Sequence, residues 1–473
     1  MSLLSTAIAC CAIAATSASR AGAATLRQQI AERVAAFERA TGAVAGVCVV
    51  DLKTARRVVS LRGAELFLPA SNQKLLTSAF ALTRLGAGFR FATGVFLLGE
   101  DLLVAGDGDP TVGDPRLAAA RGQSIYHELD RWAAAVRRHA ARPLRDVLLC
   151  DPPGRPARHP AWPAAQRTRW YAAPVSMLNF HDNCIDVTFA RVGGRVRPVI
   201  RPHSRFLHAV NRLKPGRNHV WSLRLSRQDA VLTFTGTVAR ATDEPISVAV
   251  DHPPLLLGRV LAERLLRAGV PVTGRVRCVA PRQVEWSRAR CLCLTTTPLF
   301  VALRRANQRS LNLVAEAIFL RAGDGTWNGS ADMLARTLTR TYRLPAGSIV
   351  AADGGGLGRG NRVTPIAIAE LLAGVARRPD ASVLLESLPI GGTSGTLAGR
   401  FLDATCRGRV AAKTGYIAGV SCLSGYTLDD HARVEFAFSV LVNRLRGGSA
   451  PAKRLQEDIC RLLIQSSSAG GGR

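Results

Sequence analysis

Residues 69–74 read Pro69-Ala70-Ser71-Asn72-Gln73-Lys74, and the helical stretch from Ser71 to Leu85 stops at Gly86. If Ser71 opens that helix, Ser71 and Lys74 stand at i and i+3 on one face. A serine hydroxyl is a weak nucleophile until a neighbouring base takes its proton, and a desolvated lysine is such a base. The helix N-terminus adds backbone N–H groups and positive potential where negative charge would develop. Alone, the pattern is more often an N-cap serine followed by a surface lysine. Its weight depends on what accompanies it.

Two further short patterns do. Ser310-Leu311-Asn312 falls within a helical segment, read from Pro298 to Leu320, and offers a hydroxyl to relay protons and an amide to hold a peptide group. Lys413-Thr414-Gly415 closes a strand-like run that would lie beside the helix carrying Ser71. It supplies a fixed cation, a hydroxyl, and a glycine that lets a ligand approach the backbone closely. The chain has 63 Lys and Arg against 34 Asp and Glu, a net charge of +29, yet only five of the basic residues are lysine. Arginine stays protonated, whereas lysine can lose its proton when buried. Two of the five lysines, Lys74 and Lys413, sit in these patterns.

Composition narrows the field. With 473 residues, 47% of them hydrophobic, the chain can bury substantial cores and is neither a disordered polyelectrolyte nor a fibrous rod. The basic charge raises nucleic acid as a partner, but no basic run exceeds two residues and no helix-turn-helix, zinc-finger or RNA-binding motif is present, so none is expected. Between Pro152 and Arg227 fourteen Lys and Arg face two acids, Asp182 and Asp186, which suits a polyanionic partner. Residues 2–16 (SLLSTAIACCAIAAT), followed by Ala21-Gly22-Ala23, read as a secretory leader spanning 1–23, although no Lys or Arg precedes Arg20. No later run is apolar for 18 residues, so no transmembrane helix is expected. Eleven cysteines, two of them in the leader, give no complete disulfide framework, and neither cysteines nor histidines show metal-site spacing. No metal and no cofactor is expected.

Along the chain, 25–40 reads as a helix, Val44–Leu52 and Arg57–Leu61 as a strand pair, and Pro365–Ala376 as a helix. Three strand-like runs, Arg409–Thr414, Ser421–Leu428 and Val434–Val442, precede a helix from Pro451 to Ile464 and a low-complexity tail, 466–473. The texture between them, 90–290, is richer in Pro, Gly and Arg with short alternating runs. The expected architecture is α/β (α+β): an antiparallel sheet flanked by helices, built from 24–89 and 291–465, with a large β-rich insertion at 90–290, read as two nested domains.

The order Ser-x-x-Lys, Ser-x-Asn, Lys-Thr-Gly resembles the signature of penicillin-binding proteins and serine β-lactamases. Longer stretches, GDGDPT (106–111), YAAPVSMLNFHDN (171–183), DGGGLGRGNRVTP (353–365), SLPIGGTSGTL (387–397) and AAKTGYIAGVSCLSGY (411–426), resemble low-molecular-mass class C penicillin-binding proteins. These are D-alanyl-D-alanine carboxypeptidases and endopeptidases of the peptidase S13 type. That family inserts domains between its first two motifs, as the 239 residues from Ser71 to Ser310 would allow. The resemblance implies an exported, periplasmic or cell-wall enzyme acting on peptidoglycan stem peptides and cross-links and acylated by β-lactam antibiotics. It implies Ser71 as nucleophile, Lys74 as base, Ser310 as proton relay, and Asn312, Lys413, Thr414 and Gly415 as substrate-binding residues. The oxyanion hole would be the backbone N–H groups of Ser71 and Tyr416. The basic insertion would contact the cell wall or a membrane surface. Departures are Tyr416, where the family has threonine, and Gly355 and Gly358, where serines are common; these glycines are expected to loosen their loop. A serine β-lactamase and a catalytically weakened cell-wall-binding protein are the alternatives.

Overall fold

The computed structural model describes residues 25–140, 142–152, 157–226 and 228–470. The leader read at 1–23 lies outside the described residues. Helix α1 (Leu26–Thr41) starts at a capping box between Thr25 and Gln28 and ends at Gly42, whose φ of 66° only glycine adopts freely. Strands β1 (Val44–Asp51) and β2 (Arg57–Leu61) form a hairpin, and helix α2 (Gln73–Leu85) follows. After the insertion come α3 (Leu299–Arg309), α4 (Asn312–Ala322) and α5 (Pro365–Ala376), the last capped by Thr364. Strands β3 (Val410–Ile417), β4 (Val420–Leu428) and β5 (Val434–Asn443) lead into helix α6 (Ala450–Gly470).

The five strands make one antiparallel sheet in the order β3-β4-β5-β1-β2. The period-2 alternation along β1 assigns its faces: Ala45, Val47 and Val49 meet α1 and α6, while Cys48 and Val50 meet the core of α2–α5. The sheet is therefore sandwiched between helical layers and its strands are apolar on both faces. This is the α/β arrangement expected from the sequence.

The excursion between α2 and α3 carries a second five-stranded sheet, in the order Val276–Val279, Val147–Cys150, Asp101–Gly106, Arg90–Leu98 and Arg290–Pro298. Two three-stranded sheets, built from strands between Cys184 and Ala249, lie within its sequence span. Arg290–Pro298 pairs antiparallel with Arg90–Leu98, Pro298 opposite Arg90. The boundary expected at 290/291 thus cuts a strand, and the pairing carries the inserted region on to Pro298.

Two local expectations also change. The helix read from Pro298 to Leu320 breaks at Ser310, which adopts φ 57°, ψ 34° before an extended Leu311. Apolar periodicity continues on both sides of the break and so hides it. The low-complexity segment at 466–473 is helical as far as Gly470, with Ser466 Oγ donating to the Leu463 carbonyl rather than to a turn.

Candidate active site

Ser71 lies in a 3₁₀ turn, Ala70–Asn72, that runs directly into α2. Ala70 holds φ 46°, and Gly356, at φ 81°, packs so closely that a Cβ there would fall 1.8 Å from the Ala70 carbonyl oxygen. Lys74 follows in the first turn of α2 and is fully buried. Its Nζ is 3.1 Å from Ser71 Oγ, 2.6 Å from Asn312 Oδ1 and 2.6 Å from the Gly355 carbonyl oxygen. A neutral amine has two N–H donors and a lone pair. With Asn312 and Gly355 as acceptors, the lone pair is left for the Ser71 hydroxyl. Burial lowers the Lys74 pKa to about 8, against the opposing pull of Glu316 and Asp353.

Those two carboxylates were not singled out as site residues from the sequence. Glu316 is buried on α4, one turn beyond Asn312, and accepts the backbone N–H groups of Gly354 and Gly355. Burial, and then Asp353, hold its carboxyl well above the usual range. Asp353 accepts from the N–H groups of Gly356 and Gly358, from Asn361 Nδ2 and from Trp162 Nε1 of the inserted region. The glycine loop is thus pinned by two buried acids, against the expectation that Gly355 and Gly358 loosen it. A Cβ at Gly355 would meet Glu316 Oε1 at 2.8 Å and Asn312 Oδ1 at 3.1 Å. The i, i+4 spacing of Asn312 and Glu316 was the available sequence signal. The contact to Trp162, 191 residues away, left none.

Asn312 is occupied on both sides, since its Nδ2 donates to the carbonyl of Tyr171 at 2.7 Å. It anchors Lys74 and ties the inserted region to the site, with one N–H remaining for a ligand.

The second group gathers on β3. Fully buried Lys413 donates to Ser310 Oγ at 3.0 Å and to the Thr414 carbonyl at 2.8 Å. The left-handed turn at Ser310 is what interrupts the helix beside this lysine. Burial, and then the charge of Lys74, push the Lys413 pKa well down. Thr414 Oγ1 and Thr396 Oγ1 are 2.8 Å apart. Asn72 Nδ2 donates to the Lys413 carbonyl at 2.6 Å, joining the serine turn to the strand. Gly415 lets the two backbones touch: a Cβ there would sit 2.8 Å from the Pro69 carbonyl oxygen and 3.1 Å from Ser71 N. Its neighbour Tyr416 is 61% exposed. The nine cysteines among the described residues are all free, and no group of His, Cys, Asp or Glu there could hold a metal ion.

A helix-sheet-helix fold with a serine and a buried lysine paired at the head of a helix defines the penicillin-binding-protein class of serine hydrolases. Residues 26–463 match the D-Ala-D-Ala carboxypeptidase 3 (S13) family, and the chain belongs to that family of serine-type D-Ala-D-Ala carboxypeptidases. It is 31% identical over 451 residues to a D-alanyl-D-alanine carboxypeptidase of Actinomadura sp. (strain R39), covering 88% of this chain and 80% of the relative. The fold matches the crystal structure of penicillin-binding protein 4 from Haemophilus influenzae, with TM-score 0.75 and 21% identity over 91% of this chain and 99% of that one. It also resembles a predatory endopeptidase of Bdellovibrio bacteriovorus, with TM-score 0.51 and 15% identity over 89% and 93% of the two chains.

Proposed function

We propose that this chain cleaves D-alanyl-D-alanine ends and D-alanyl cross-links of peptidoglycan through an ester on Ser71. Neutral Lys74 takes the Ser71 proton as Oγ bonds to the carbonyl carbon of the penultimate D-alanine. The backbone N–H groups of Ser71 and Tyr416 receive the oxyanion. The C–N bond then breaks, and the leaving amine takes a proton by way of Ser310. Lys413 and Thr414 face the carboxylate of the leaving residue, whose charge would restore the proton that burial disfavours on Lys413. Water hydrolyses the ester, its proton passing to Lys74 and from there to Ser71 Oγ as the acyl C–O bond breaks. A β-lactam enters the same steps and remains as the acyl group, as expected of a penicillin-binding protein.

The observation that carries this reading is the buried Lys74 Nζ 3.1 Å from Ser71 Oγ. The relatives are named D-alanyl-D-alanine carboxypeptidases, whose substrate is cell-wall peptide, and on that ground we place this chain outside the cytoplasm. The basic insertion would contact the wall polymer or a membrane surface. Among the described residues no helix is long and apolar enough to cross a membrane.

Incubation with a pentapeptide ending in D-Ala-D-Ala and with a cross-linked muropeptide tests the reaction. Release of D-alanine or of muropeptide monomer is expected, and Ser71→Ala should stop both. Turnover of bound penicillin within seconds would instead favour a β-lactamase. Binding to isolated peptidoglycan without any product would favour a cell-wall-binding protein.

A further inference from the structure

Beside Asn312 and Thr396 opens a cleft of about 750 Å³ that the steps above leave unused. Arg116, Arg169, Arg305 and Arg309 line it, against the single acid Asp182. Arg305 is the anchored member: its side chain is 7% exposed, its Nε donates to Asp114 at 2.5 Å, and Asp182 lies 3.7 Å from its Nη2. That Nη2 is nevertheless buried with no hydrogen-bond partner among the described residues. Arg305 is thus ion-paired to Asp114 and Asp182, whereas among the described residues the side chains of Arg116, Arg169 and Arg309 make no ion pair. Like charges crowd together, for burial and then Arg116 and Arg305 press the Arg309 pKa down. Burial, and then Asp114, push the Asp182 carboxyl up from its usual range.

The position of the cleft gives it meaning. Thr396, in its wall, touches Thr414, and Arg309 precedes Ser310, the partner of Lys413. The cleft therefore begins where the leaving residue would lie. A free D-alanine ends at that point and has nothing to extend further. In a cross-link the leaving amine belongs to a second stem peptide that carries carboxylates of its own. Guanidinium groups pair with carboxylates through parallel N–H donors, and the arginines here that have no acid partner favour such a ligand.

We propose that Arg116, Arg305 and Arg309 form a subsite for the carboxylate-bearing leaving strand of a cross-linked stem-peptide dimer, favouring cross-link cleavage over trimming of free ends. This rests on the acyl-transfer reading above. Binding of that remote strand lowers KM for the cross-link alone.

The test compares kcat/KM of the full chain and of Arg116→Glu on three substrates. These are a cross-linked dimer with free carboxylates, the same dimer with its leaving-strand carboxylates amidated except that of the leaving residue itself, and a short neutral-bodied peptide ending in D-Ala-D-Ala. The acid-to-amidated ratio should fall at least tenfold in the variant, mainly through KM, while penicillin acylation shows the serine site intact. If Arg116→Glu does not fold, Arg309→Gln is read the same way, with a several-fold fall expected. Equal losses on all three substrates, or a wild type that treats both dimers alike, would overturn the subsite. A wild type that cleaves nothing and takes no penicillin would instead overturn the reaction itself.

Discussion

Lys74 Nζ lies 3.1 Å from Ser71 Oγ and wholly out of solvent, with Asn312 Oδ1 and the Gly355 carbonyl each 2.6 Å away on its other sides. The arrangement suits an amine that gives two hydrogen bonds and receives one. Arginine has no accessible neutral form. Lys74→Arg should therefore keep the positive charge and lose the base, slowing acylation by roughly 10²–10⁴-fold, the usual range for a general base. Stopped-flow acylation by a chromogenic β-lactam measures this, and a rate within tenfold of wild type would argue against the role.

The acylation rate should also follow the Lys74 proton. With a pKa lowered to about 8, the neutral fraction grows as pH rises through that value and then levels. A rising limb between pH 6 and 8, nearly tenfold per unit at its foot, is the expected profile of the second-order acylation constant. The stability sign runs the same way. Between about 8 and the ordinary 10.5 the unfolded chain holds more protons on this lysine, so its contribution to folding improves as pH rises through that window. A profile flat from pH 6 to 9 would show that Lys74 does not limit acylation.

Gly356 is held at φ 81° against the Ala70 carbonyl, and an added Cβ would fall 1.8 Å from that oxygen. Gly356→Ala should cost at least about 1–3 kcal/mol through the backbone strain alone. It should also displace the turn carrying Ser71. Thermal unfolding and acylation rate together check this: a lower Tm with slower acylation is expected, and wild-type values for both would contradict the packing described here.

Charge gives a separate prediction. The segment from Pro152 to Arg227, with fourteen basic residues against two acids, would hold the enzyme on an anionic wall polymer by screened electrostatics. Raising salt from 50 to 500 mM should weaken binding to isolated sacculi several-fold while leaving hydrolysis of a short neutral-bodied peptide within about twofold. Equal salt sensitivity in both assays would remove the tethering role.

How far the sequence reached depends on the range of the forces involved. The strands at Val44–Asp51 and Val434–Asn443 are short apolar runs bounded by turns, and local pattern suffices to find them. The Ser71–Lys74 pair is a matter of helical spacing and was equally legible. The helix break at Ser310 was not, because a single left-handed residue between two apolar helices leaves the periodicity undisturbed. Asp353 takes a hydrogen bond from Trp162, and Asn312 reaches Tyr171, contacts that only the folded insertion creates. The end of that insertion escaped for the same reason: Arg290–Pro298 belongs to it through pairing with Arg90–Leu98, two hundred residues earlier.

The nucleophile is the central claim, and covalent labelling tests it most directly. Wild type and Ser71→Ala are each treated with a fluorescent penicillin, denatured, and digested for mass spectrometry. The account predicts an adduct on the peptide containing Ser71 in wild type and no adduct in the variant. An unlabelled wild type, or label persisting in Ser71→Ala, would contradict it.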